Sequence, residues 1–141
     1  MEMREERDKK WGAAKGQALV EMALMLPLFL LLIGGVVEFG SMFAVKQIIT
    51  NAAREGARMG VVYLDDSEAL VSAEAVSKNY LTRSGVSPSR ATIDPVFSEV
   101  NGTPAVQVTI GYDYTAGLIR WIPGIPETVQ LTTQVVMRKE A

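Results

Sequence analysis

Two residue types with versatile chemistry are missing from this 141-residue chain, which contains neither cysteine nor histidine. Without cysteine it has no disulfide framework and no thiol chemistry. Without histidine it lacks the most common general base and the most common metal ligand. Its many serines and threonines therefore have no histidine to activate them as nucleophiles. We predict that the protein is not an enzyme and has no catalytic residue, no metal site and no cofactor.

The chain also lacks a large excess of charge of either sign. Its formal net charge is −2 and its pI is near 5.2, so there is no electrostatic case for nucleic-acid binding. The mean hydropathy of +0.16 is high for a soluble domain, and a single apolar stretch accounts for the excess. At this length the chain has room for one membrane segment and at most one small domain.

The apolar stretch lies between Ala18 and Val37 and contains one carboxylate, that of Glu21. Its roughly twenty residues are about what a helix needs to cross a hydrocarbon core. Basic residues precede it, whereas the first cation after it is Lys46, so the positive-inside tendency predicts a cytoplasmic N-terminus. A secretory signal peptide is the rival interpretation, but the apolar core is too long and no small-x-small cleavage site follows it.

Beyond the span the sequence becomes amphipathic, with apolar or small residues recurring at spacings of three and four. We predict one helix from about Gln17 to about Leu64, roughly 70 Å long, with a kink at Pro27. A row of small residues in its second half permits close backbone approach, either to a second helix or to a neighbouring subunit. The row consists of Ala52, Gly56 and Gly60.

A second helix is predicted to begin near Asp65, which has capping-box spacing to Glu68, with Ser67 as the alternative cap. It is predicted to end near Arg83 before a left-handed cap at Gly85. Three strand-like runs follow at residues 91–100, 106–114 and 129–137. The first is the weakest because its proline suits only an edge or a bulge. A two-residue turn at 101–102 joins the first two strands and places Phe97 opposite Val106.

The predicted fold class is therefore α+β. It comprises a long N-terminal helix that starts in the membrane and continues outside it, a second helix, and a small antiparallel three-stranded sheet. Between the last two strands, residues 115–127 combine prolines and glycines with five large apolar side chains. Burying all of these would leave backbone groups without ladder partners. We predict a partner contact at Ile119, Trp121 and Ile122; the alternative is that Trp121 caps the open end of the sheet.

Several sequence features occur in a characteristic order between positions 16 and 60. They are Gly16 before the span, Glu21, Pro27, the triplet Glu38-Phe39-Gly40 and the run from Asn51 to Arg58. This segment, about a third of the chain, resembles the TadE-like family of tight-adherence (type IVc, Flp-type) pilus proteins. The resemblance implies a minor pilin or pseudopilin of a pilus assembly and secretion system, with a type IV pilin-like fold. It disfavours a major filament subunit.

The resemblance further implies that a membrane prepilin peptidase cleaves between Gly16 and Gln17. Residues 1–16 would then be a cytoplasmic leader peptide, 17–64 the long helix with its transmembrane part at 18–37, and 65–141 an extracytoplasmic α+β domain. The implied location is the inner (cytoplasmic) membrane, crossed once, with the C-terminal domain periplasmic or extracellular and the protein entering the pilus. The implied partners are the peptidase, other pilins or pseudopilins and inner-membrane assembly-platform proteins, with homo- or hetero-oligomers forming through the N-terminal helix.

Glu21 has a physical role under this interpretation. A charge well inside a bilayer costs on the order of 2.5–3.5 kcal/mol, but the first turn of a helix that starts at Gln17 favours a carboxylate by about 0.3–1 kcal/mol. In an assembly Glu21 can also pair with the α-amine of a neighbouring Gln17. The alternatives are a Glu21 that snorkels to the interface, a Gly16 that precedes an ordinary signal anchor, and an uncleaved single-span scaffold that recruits partners through its outer domain or its leader.

Overall fold

The computed structural model describes residues 2–63, 66–117, 124 and 127–139. Two helices come first and three strands follow, joined by a short 3-10 turn. The helices are α1 (Glu2–Val62) and α2 (Asp66–Arg83), and the strands are β1 (Ala91–Val100), β2 (Thr103–Thr115) and β3 (Thr128–Arg138). The strands form one antiparallel sheet in the order β1-β2-β3. The predicted α+β class, with its long helix, second helix and three-stranded sheet, is confirmed.

Helix α1 begins at Glu2, upstream of the predicted start near Gln17. The preceding residues are rich in Glu, Arg, Lys and Ala, all good helix formers, so the helix extends through them. The helix also continues through Pro27, and the kink predicted there stays a prediction. The chain divides into two compact units, Met1–Val37 and Glu38–Ala141.

The first unit holds the apolar part of α1. From Gly16 onward, α1 is the one helix in the described part of the chain that is long and apolar enough to span a membrane. Its large side chains are exposed, including Leu24 with 74% of its surface accessible. A continuous exposed surface of this kind requires apolar surroundings, which a bilayer or neighbouring apolar helices supply.

The second unit is built around the remainder of α1. Small and branched residues of α1, such as Ile49 and Ala53, are fully buried against α2 and the sheet. The central strand β2 supplies most of the sheet's contribution, since Val106, Val108 and Ile110 are also buried while the edge strands are partly covered. Burying apolar area in this way is the main favourable term in folding such a small unit.

The predicted register of the first hairpin is confirmed, because Phe97 lies opposite Val106. Asn101 and Gly102 have φ values of 55° and 76°, the left-handed pair that a two-residue turn of this type requires. Pro95 lies in the edge strand β1. An edge strand tolerates proline because it pairs on one side only, so the missing amide hydrogen need not interrupt the sheet.

The predicted left-handed cap of α2 is also present. Gly85 has φ of 74°, and its amide donates to the Thr82 carbonyl at 3.1 Å while the Val86 amide donates to the Leu81 carbonyl at 3.0 Å. This pair of bonds is a Schellman motif, and the burial of both Val86 and Leu81 supplies its usual hydrophobic contact. The capping residue predicted at the other end, Asp65, lies outside the described residues.

Candidate functional site

The row of small residues on α1 receives α2 and the sheet within this chain. A Cβ atom on Gly56 would lie 2.1 Å from Ser77 Oγ and 2.8 Å from the Ala73 carbonyl oxygen. A Cβ on Gly60 would lie 2.9 Å from a methyl group of Val106. Ala52 is fully buried in the same row. The row therefore packs closely against α2 and β2 of the same chain. The spacing in the sequence had not distinguished a second helix from a neighbouring subunit.

Ser77 closes this helix-to-helix contact. Its side chain is fully buried, and its hydroxyl lies 2.9 Å from the Ala73 carbonyl of its own helix and 3.1 Å from the Ala52 carbonyl of α1. The Ser77 hydroxyl therefore has carbonyl acceptors within the helix-to-helix contact, so its burial carries little desolvation penalty. Only a residue without a side chain at position 56 leaves room for it.

A second cluster forms where the C-terminal unit begins. Glu38 is only 7% exposed, and its Oε1 atom accepts a hydrogen bond from the Tyr114 hydroxyl and another from the Gly117 amide, each at 2.9 Å. The carboxylate that follows the apolar span is thereby covered by the end of β2. Bonds to an ionised acceptor are stronger than neutral ones, so these contacts hold the end of β2 on α1.

The environment of Tyr114 also changes its acidity. Burial raises the pKa of the phenol, and its hydrogen bond to the Glu38 carboxylate raises it further, whereas a hydrogen bond with Ser41 acts in the opposite direction. The phenol therefore stays protonated to a higher pH than an exposed tyrosine and continues to donate to Glu38.

From the sequence alone, Glu38 is either a solvated end of the span or a residue with a specific partner, and no sequence feature singles out Tyr114. The two residues are 76 positions apart, and no local spacing relates them. The only signal available was a carboxylate directly after an apolar run. The structure assigns it specific partners.

The connection after Tyr114 is closed at its base, where the Ala116 amide donates to the Glu127 carbonyl at 3.0 Å. The contact residues predicted in this connection, Ile119, Trp121 and Ile122, lie outside the described residues. Their role stays a prediction.

The residues predicted for processing and assembly lie together on α1. The Gln17 side-chain amide donates to Glu21 Oε1 at 3.3 Å, and both side chains are exposed. No atom comes within 4 Å of the position that a Cβ on Gly16 would take. The segment thus presents a glycine, an amide and a carboxylate on adjacent turns at the start of the apolar stretch. Among the described residues, no group of three or more acidic side chains is placed to hold a metal ion.

Comparison with known proteins bears on this same part of α1. Residues 16–58 match the family model described as TadE-like protein. This segment is TadE-like. The TadE-like segment contains Gly16, Gln17, Glu21, Glu38 and Gly56, and it ends before α2 and the sheet. No curated protein and no solved structure gave a match to the chain. The TadE-like segment indicates a protein associated with a Tad pilus, and its apolar helix is consistent with a membrane-anchored component.

Proposed function

We propose that the protein is a minor pilin or pseudopilin of a Tad (Flp-type) pilus assembly and secretion system. The observation that carries the proposal is the exposed Glu21 carboxylate, five residues after Gly16 on a helix that is otherwise apolar and exposed. The Gln17 amide donates a hydrogen bond to this carboxylate but does not neutralise its charge. A carboxylate in lipid without a cation beside it is costly, so its presence at this position calls for a positively charged partner.

Removal of residues 1–16 by a prepilin peptidase would create that partner. The new α-amine at Gln17 carries a positive charge at neutral pH, and the first turn of the shortened helix has unsatisfied amide groups that favour a nearby anion. In a bundle of such helices, the amine of one subunit pairs with Glu21 of the next. Because a charge left unpaired in low dielectric is heavily penalised, a subunit out of register is rejected.

The remaining roles follow from this arrangement. The apolar part of α1 anchors the protein in the inner membrane with the basic N-terminal side in the cytoplasm, in keeping with the positive-inside tendency. The C-terminal unit lies on the other side and meets other pilins, pseudopilins and assembly-platform proteins, with the connection around Trp121 as one contact. The role is structural, not enzymatic.

A substitution of Glu21 tests the assembly role. Glu21→Gln should leave membrane insertion intact, because removal of a charge from lipid is favourable. It should nevertheless prevent incorporation, since breaking a buried ion pair costs on the order of 3–5 kcal/mol. Co-purification with the other Tad pilus components from piliated cells measures incorporation. Glu55→Gln is the control, because Glu55 is a carboxylate of the same helix beyond the apolar span that forms an ion pair with Arg58 within the chain. Normal incorporation of Glu21→Gln would refute the pairing.

A further inference from the structure

An exposed aromatic face follows Glu38 on α1. Phe39 and Phe43, four residues apart and so on one side of the helix, have 69% and 64% of their surfaces exposed. Gly40 between them leaves open space, with no atom within 4 Å of its would-be Cβ position. Together with Leu131 of β3 these residues line a groove of about 630 Å³. We name this surface, formed by Phe39, Gly40, Phe43, Lys46 and Leu131, the aromatic groove.

One cation lies at the aromatic groove. The ammonium group of Lys46, one helical turn beyond Phe43, donates a hydrogen bond to the Thr132 backbone carbonyl of β3. That bond fixes the side chain beside the groove and uses one of its three donors. An apolar groove with a single ammonium group at its side matches an amphipathic ligand that has a hydrocarbon chain and an anionic head.

The position of the aromatic groove in the sequence points to the source of that ligand. Phe39 follows directly after the carboxylate that closes the apolar span, and Phe43 lies about 7.5 Å further along the helix axis than Glu38. The polar interfacial layer of a bilayer is roughly 5–7.5 Å deep on each side of the hydrocarbon core. Phenylalanine with a neighbouring lysine is a typical composition for a helix segment in this layer, where the ring meets acyl chains and the ammonium group meets phosphate.

We propose that the aromatic groove is a phospholipid-binding surface, which holds the C-terminal unit against the membrane interface. The rings of Phe39 and Phe43 contact the upper acyl chains, and the Lys46 ammonium group contacts the lipid phosphate. Phe39 and Phe43 have the highest exposed fractions of the phenylalanines in the described part of the chain. Contact with lipid removes their apolar surface from water. The inference rests on the membrane anchoring in the proposed function, but it does not depend on cleavage or on pilus assembly.

Tryptophan replacement in the full-length chain tests the proposal. The native tryptophans are first removed with Trp11→Phe and Trp121→Phe, and single reporters are then introduced as Phe43→Trp, Phe29→Trp and Val71→Trp. All three positions are exposed, so the larger ring fits each of them. The protein is reconstituted in vesicles whose lipids carry bromine, a contact quencher of tryptophan emission, either high on the acyl chain or near its end.

We expect the Phe43→Trp reporter to lose emission with the shallow bromines, and to lose more of it than with the deep ones. The Phe29→Trp reporter in the apolar span should be quenched more strongly by the deep bromines, and the Val71→Trp reporter on α2 by neither. Lys46→Glu, added to Phe43→Trp, should reduce the shallow quenching because the head-group contact is replaced by repulsion.

The outcomes separate this inference from the proposed function. If Phe29→Trp is quenched and Phe43→Trp behaves like Val71→Trp, the span is inserted and the lipid-binding surface is refuted. The surface is also refuted if the Phe43→Trp emission is shielded only at high protein-to-lipid ratio, since a second copy then covers the groove. If Phe29→Trp is not quenched, the membrane anchoring itself fails.

Discussion

A Gly56→Ala substitution is expected to destabilise the C-terminal unit by about 2 kcal/mol, the balance of a steric cost of about 3 kcal/mol and a smaller gain in helix propensity. The added methyl group would lie 2.1 Å from Ser77 Oγ and 2.8 Å from the Ala73 carbonyl oxygen. The second of these atoms belongs to the backbone of α2, so relief requires the two helices to move apart. The gain of roughly 1 kcal/mol in helix propensity offsets only part of this cost. Thermal unfolding of the full-length chain in detergent, followed by circular dichroism, measures the effect.

The same helix offers a matched control. Gly40→Ala adds the same methyl group where no atom lies within 4 Å, so it should raise stability by up to about 1 kcal/mol through helix propensity alone. Ser77→Ala in the Gly56→Ala background removes the nearer clashing atom and should restore part of the loss. Gly56→Ala with the melting temperature of the original chain would contradict the packing of α2 on this row.

Removal of the carboxylate at position 38 is the second large expected effect. Glu38→Ala deprives both the Tyr114 hydroxyl and the Gly117 amide of their charged acceptor. The loss of two partly buried hydrogen bonds to a carboxylate should cost about 1–3 kcal/mol. Glu38→Gln keeps an oxygen acceptor in place and should lose less. Chemical denaturation of the two variants in detergent distinguishes them. Equal stability of Glu38→Ala and the original chain would exclude a structural role for the cluster.

The raised pKa of Tyr114 adds a pH dependence to this cluster. An unfolded tyrosine has a pKa of about 10, and the folded value is higher, so the folded state favours the protonated phenol. The contribution of Tyr114 to stability is then fully present below about pH 10 and is lost as the pH rises through the folded pKa. Tyr114→Phe should lower stability at neutral pH and make the decline at alkaline pH shallower than in the original chain.

The elements with strong local signals were predictable from the sequence. The alternation of residues 106–114 and the Asn101-Gly102 turn determined both the hairpin and its register, because a shift by one residue would move every apolar side chain to the other face. Gly85 likewise marked the end of α2, since few other residues adopt a left-handed conformation without strain.

Contacts between distant positions were not predictable in the same way. The small-residue row showed that something packs closely on α1, but α2 and a neighbouring subunit satisfy the spacing equally well. The bonds from Tyr114 and Gly117 to Glu38 join segments that only the tertiary fold brings together. The start of α1 at Glu2 has another origin, because the residues before Gln17 are rich in good helix formers and carry the helix upstream.

The mass of the mature protein is the most direct test of the proposed pilin role. Recovered from membranes of cells that contain the cognate prepilin peptidase, the protein should begin at Gln17 and lack residues 1–16. Gly16→Ala should block the cleavage. Because a methyl group at position 16 would meet no atom of the described residues beyond its own stretch of helix backbone, the block would reflect recognition by the peptidase. Gly12→Ala, a change of the same kind within the leader, should be cleaved normally. An intact N-terminus at Met1 in the assembled apparatus would contradict the proposal and favour an uncleaved membrane scaffold.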